Sequence, residues 1–143
     1  MAEDIGAVSR RVFEEAFTQG KVEVLDELVA EDWVNHDETV PPEIPRGRAG
    51  LKQLAHGYRG AFPDLQMTVE DQIVQGDKVV TRWSARGTHQ GDLMGIPATG
   101  KQGRANGITI DRIENGKIVE SWNHWDQLSL LQQLGVVPEL ART

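Results

Sequence analysis

The stretch Ser121-Trp122-Asn123-His124-Trp125-Asp126 gathers the residue types that do acid/base chemistry. Read as a strand, its alternation puts Trp122, His124 and Asp126 on one face, so an aromatic wall, an imidazole and a carboxylate look into the same space. A neighbouring carboxylate can hold an imidazole as a base or charge it as an acid near neutral pH, which makes His124 and Asp126 the candidate catalytic pair. The competing reading is a salt-bridged sheet edge.

Three further histidines are scattered along the chain. His89 follows Thr88 where a strand ends and a Gly-rich loop opens, a place from which it either reaches a pocket mouth as a third catalytic candidate or bonds the loop backbone. His36, in Asn35-His36-Asp37, belongs to a polar site or to a turn whose Asn and Asp bond nearby backbone. His56 reads as helix packing or surface. Four tryptophans stand against one Tyr and three Phe. Trp33 lies beside Asn35 and His36, and Trp122 beside His124, so these residues form the candidate substrate-binding set. An aromatic cavity with a few convergent polar groups suits a small apolar molecule. Arg82 and Arg104, on adjacent strands, either pair Glu120 or stabilise an enolate.

No His-Glu-x-x-His motif is present, and His124 and Asp126 are too close in sequence to suggest a metal pair, so no metal site is expected. The loop Gly95-Ile96-Pro97-Ala98-Thr99-Gly100-Lys101 lacks the Gly-Lys-Ser/Thr ending and the following helix of a phosphate loop. No cofactor is expected either.

The elements that must position these residues follow from periodicity. Ile5, Val8, Val12, Phe13, Ala16 and Phe17 fall at helical spacing between Asp4 and Gln19, and a shorter helix spans Val22 to Val29 before a turn into Trp33-Val34-Asn35-His36-Asp37. Val40-Pro41-Pro42-Glu43-Ile44-Pro45 is a surface loop. Leu51, Leu54, Ala55, Tyr58, Ala61 and Phe62 give a third helix from Gly50 to Phe62, ended by Pro63. Alternation then predicts strands over Leu65 to Ile73, Lys78 to Thr88, Arg104 to Ile113 and Ile118 to Asp126, with a long loop from His89 to Gly103. Asn115-Gly116 is the dipeptide of a two-residue hairpin turn. Leu128, Leu130, Leu131, Leu134 and Val137 close the chain as a short helix ending near Gly135. Helices followed by an antiparallel meander make an α+β domain, with the apolar stripes of the helices buried on one face of the sheet.

The chain of 143 residues fits a single domain, 1–143, and its 38% hydrophobic and 26% charged residues are those of a globular protein. The formal charge of -7 repels a phosphate backbone, so nucleic acid is not an expected partner. No apolar run approaches the roughly 20 residues of a spanning helix, and Met1-Ala2-Glu3-Asp4 lacks signal-peptide features, so no membrane is expected and the cytoplasm is the default location. The absence of cysteine removes thiolate nucleophiles and disulfides.

Arg86-Gly87-Thr88-His89-Gln90-Gly91, Gly95 through Lys101, Ile113-Glu114-Asn115-Gly116-Lys117-Ile118-Val119-Glu120-Ser121-Trp122, and Asp126-Gln127-Leu128 with Leu131-Gln132-Gln133-Leu134-Gly135 resemble the SnoaL-like polyketide cyclases, or ester cyclases. With Phe62-Pro63-Asp64, the resemblance covers nearly the whole chain in order. It implies the cone-shaped fold of nuclear transport factor two, ketosteroid isomerase and limonene epoxide hydrolase: a curved antiparallel or mixed sheet wrapped around N-terminal helices and enclosing a pocket. It also implies a homodimer and a cofactor-independent intramolecular aldol condensation driven by a pocket carboxylate. It puts the acid/base function on the strand after Trp122, where this chain offers His124 and Asp126, and matches Asn35 and His89 to polar pocket positions. Two alternatives stay open: a non-catalytic protein for lipophilic small molecules, and an epoxide or ester hydrolase in the same pocket.

Overall fold

The computed structural model describes residues 4–138, so the ends of the expected 1–143 span lie outside the described residues. Asp4 caps the first helix, its carboxylate accepting from the Ala7 N–H at 3.2 Å. That helix, α1 (Ile5–Arg11), continues through a π-helical stretch over Val12–Thr18. The Phe17 and Thr18 carbonyls at its end accept from the Arg59 guanidinium at 2.8 and 2.7 Å, which satisfies groups the helix itself leaves open.

A 3-10 turn (Val22–Val24) leads into α2 (Leu25–Leu28) and directly into β1 (Val29–Asn35). The sequence reading has a turn here and no strand, because β1 shows no clean alternation; its pairing with a distant segment makes it a strand. The third helix, α3 (Arg48–Ala61), precedes β2 (Gln66–Gln75), β3 (Lys78–Thr88), β4 (Gln102–Glu114), β5 (Lys117–Trp125) and α4 (Gln127–Gln133). Asn115 and Gly116, between β4 and β5, both sit at positive φ, 53° and 75°, as a tight hairpin turn demands.

The sheet order is β1-β5-β4-β3-β2, antiparallel except for the parallel pair β1/β5. It is a mixed open sheet with helices on one face, the α+β architecture expected. Val12, Ala16, Leu25, Leu28, Val29, Trp33, Ala55, Val79, Ile113 and Ile118 pack into one core, and Ala61, Phe62, Leu93, Leu130 and Leu134 into a second. No helix among the described residues is long and apolar enough to cross a membrane.

One irregularity governs the site. Arg112 pairs with Glu120 and Ile113 with Ile118, which leaves Val119 as an extra residue in β5. Such a β-bulge shifts the alternation by one, so the residues beyond it point to the opposite face. Ile118 is inward, and past the bulge the inward residues are Ser121, Asn123 and Trp125.

Candidate active site

Between the two cores lies a cavity of about 170 Å³. Helices and strands line it with Phe13, Phe17, Leu51, Leu54 and Tyr58 on one side and Trp33, Trp83 and Trp125 on the other. Gly107 of β4 makes room for two of these rings. A Cβ there would stand 2.6 Å from both Trp83 Cζ2 and Trp125 Cβ, closer than side chains approach.

Two polar chains end in this apolar space, each begun by an indole. In the first, Trp33 Nε1 donates to Ser121 Oγ at 2.9 Å, and the Ser121 and Ser9 hydroxyls meet the two oxygens of Asp111 at 2.5 and 2.7 Å. Asp111 is 4% exposed, and burial pushes its carboxyl above the usual range, against the opposing effect of the two serines. In the second, Trp83 Nε1 donates to Thr109 Oγ1 at 2.9 Å, Thr109 to Asn123 Oδ1 at 2.7 Å, and Asn123 Nδ2 to Asp37 Oδ2 at 3.3 Å. The other oxygen of Asp37 accepts from the Thr39 N–H and hydroxyl at 2.9 and 2.6 Å. Asn35 Oδ1 accepts from the Asp37 N–H at 3.0 Å. Burial first, and the charge of Asp37 second, push the Tyr58 hydroxyl up to about 12, so it stays a neutral donor beside these groups.

Of the residues singled out from sequence, Trp33 and Asn35 line this cavity, while the other candidates stand elsewhere. Trp122 and His124 do share a face, but the Val119 bulge turns it to the outside of the sheet, where they border a shallow hollow with Ile73, Gln75, Lys78, Val80 and Ile110. Asp126 lies beyond the end of β5. It caps α4, accepting from the Ser129 N–H at 2.9 Å, and is exposed. His36 is also outside, stacked on Trp122 with ring centroids 4.8 Å apart and 2.7 Å from Glu120. Arg82 and Arg104 occupy exposed outward positions on β3 and β4. Arg112 at 2.8 Å, not either of them, joins His36 on Glu120 and lowers its carboxyl pKa.

His89 is fully buried and is not a lining residue. Its Nδ1 accepts from the Thr99 N–H at 3.2 Å, and its ring tilts against Phe62 at 5.5 Å, so it fastens the Gly-rich loop to the back of the second core. The groups that sequence reading missed are Asp37, Tyr58, Thr109, Asp111, Ser121 and Asn123. A signal existed for Asp111: it shares the inward face of β4 with Thr109 and Ile113, where a carboxylate is out of place unless partnered. Nothing local announces the bulge that brings Ser121 and Asn123 inward.

The described residues thus form a five-stranded mixed sheet with helices on one face, and an aromatic cavity lined in part by carboxyl groups lies between them. The sequence profile described as SnoaL-like polyketide cyclase matches residues 7–134, and the chain belongs to that family. Nogalonic acid methyl ester cyclase of Streptomyces nogalater is 29% identical over 121 residues, 84% of this chain and 90% of that protein. Aklanonic acid methyl ester cyclase DnrD of Streptomyces peucetius is 28% identical over 136 residues, 94% of this chain and 92% of that protein. Among solved structures, IdmH of Streptomyces antibioticus superposes with a TM-score of 0.81 at 36% identity, covering 94% of this chain and 100% of that one.

Proposed function

We propose that this chain closes a ring in an uncharged, apolar carbonyl compound by intramolecular aldol condensation, using cavity carboxylates for acid/base work and no cofactor. The observation that carries this reading is Asp111, a carboxyl held in the wall of an aromatic cavity by Ser9 and Ser121. A carboxyl whose pKa burial raises can carry a proton closer to neutral pH, which a general acid or base needs. Asn35 and Tyr58 supply donors for the oxygen that gains charge.

The charge balance of the cavity selects the ligand. Arg86 is the only basic lining residue among those described, and its guanidinium is held by Gln66 Oε1 at 2.7 and 3.2 Å. A ligand carboxylate would face two acidic side chains, Asp37 and Asp111, against the single guanidinium of Arg86, so an ester is favoured over the free acid. The curated relatives named for methyl ester substrates fit that preference.

Incubation with aklanonic acid methyl ester and nogalonic acid methyl ester, followed by absorbance and retention time, tests the reading. Ring closure by the wild type and a loss of roughly 10²- to 10⁴-fold in Asp111→Asn are expected. Quenching of Trp fluorescence without product would favour a lipophilic binding protein, and equal turnover by Asp111→Asn would remove the assignment.

A further inference from the structure

The two carboxyls in the cavity have partners of different kinds, and the difference decides which can hold a proton. Asp37 is faced largely by groups that only donate: the Thr39 N–H on Oδ1 and the Asn123 amide on Oδ2. The direction of the Asn123 amide is set from the far end of its chain, because an indole N–H cannot accept. With Thr109 Oγ1 receiving the Trp83 N–H, its single hydrogen goes to Asn123 Oδ1, and Nδ2 is left facing Asp37. The Thr39 hydroxyl accepts from Gln127 Nε2 at 2.9 Å and so directs its own hydrogen to Asp37 Oδ1 as well. A proton on Asp37 would displace one of these donors.

Asp111 is faced only by hydroxyls. A hydroxyl both donates and accepts, and Ser9, whose hydroxyl receives no N–H among the described residues, can turn from donor to acceptor when Asp111 takes a proton, while Ser121, which receives the Trp33 N–H, keeps its hydrogen on Asp111. Among the described residues no Lys or Arg forms an ion pair with either carboxyl. The groups bearing on Asp37 are Tyr58 from α3, Asn123 from β5 and Thr39 from its own segment, with Asp111 on the neighbouring β4.

We infer that the two carboxyls divide the work: Asp37 is the resident anion and general base, and Asp111 carries the proton and is the general acid. Environments that set two carboxyls apart in this way assign the acid and the base. The inference rests on the proposed function above and adds Asp37 to it as a catalytic residue. Asp37 takes the proton from a carbon alpha to a carbonyl, and the C–H electron pair becomes the enolate. The enolate carbon attacks a second carbonyl carbon of the same molecule, whose π pair moves to its oxygen, and that oxygen takes the proton of Asp111. One C–C bond and one O–H bond form while one C–H bond and one C=O π bond are lost, so the substrate keeps its formula. The protein is left with its proton on Asp37 and its charge on Asp111, and exchange with water after product release restores both.

Infrared difference spectra on the ligand-free protein test the assignment without any substrate. At pH 7 the wild type is expected to show the C=O stretch of a protonated carboxyl that persists in Asp37→Asn and vanishes in Asp111→Asn. Absence of the band from the wild type, or its loss in Asp37→Asn, overturns the inference. The Asp37→Asn arm decides even where Asp111→Asn fails to fold. In turnover of the two methyl esters, Asp37→Asn is expected to lose roughly 10²- to 10⁴-fold in kcat. Full activity in that variant also overturns the inference, whereas an inert wild type overturns the proposed function and leaves the infrared result to decide where the proton sits.

Discussion

At the scale of single residues, Asp111 is a carboxyl whose burial works against its charge. A carboxyl raised by burial stabilises the fold fully below its unfolded pKa, and that contribution is lost as pH rises toward the folded value. For Asp111 the unfolded reference is 3.8. Asp111→Asn cannot ionise, so the difference in urea midpoint between wild type and variant should be constant below pH 3.8 and should move against the wild type above it. A difference that is flat from acid to neutral pH would contradict the burial argument. His124 and Asp126 make the opposite case. His124→Ala, on the outer face, is expected to leave turnover within about twofold, whereas Asp126→Ala should cost about 1 kcal/mol in thermal or urea unfolding through loss of the α4 cap.

At the scale of elements, one inserted residue and one missing side chain set the cavity. The Val119 bulge turns the second half of β5 so that Ser121 meets Asp111 and Asn123 meets Thr109, partners that lie directly opposite them in the ladder. Gly107 then leaves room for the Trp83 and Trp125 rings to approach across β4, with centroids 6.4 Å apart. Gly107→Ala is expected to destabilise by about 1–3 kcal/mol in urea titration, through crowding of both rings. A change within experimental error would mean that the wall yields.

At the scale of the whole molecule, the helices cover the inner face of the sheet and leave the outer one to solvent. Val34 and Ile108, each 48% exposed, and Ile73, 63% exposed, stand there beside Trp122, among the ion pairs of Arg112, Glu120 and His36. We propose that a second copy of the chain covers this face, the mixture of apolar and oppositely charged groups being able to meet its own kind across a twofold axis. Sedimentation should then give a dimer for the wild type and a monomer for Ile73→Glu with Ile108→Glu. A wild type that sediments as a monomer at micromolar concentration would refute it.

Most of the architecture was readable from the chain because helix and strand periods are local properties. The α1 and α3 stripes, the four antiparallel strands and the Asn115-Gly116 turn all follow from neighbours a few residues apart. The family resemblance was legible in motifs spread along the chain, whereas of the two tryptophans singled out beside polar residues only Trp33 lines the cavity and Trp122 does not. What the tertiary structure alone decided is which side of β5 faces the cavity. A bulge is fixed by how β5 pairs with β4, and a side-chain period of two means that a single extra residue exchanges Trp122 and His124 for Ser121 and Asn123. For the same reason the carboxyls facing the cavity are Asp37 and Asp111, brought together from β4 and the segment after β1 by contacts that no local pattern records.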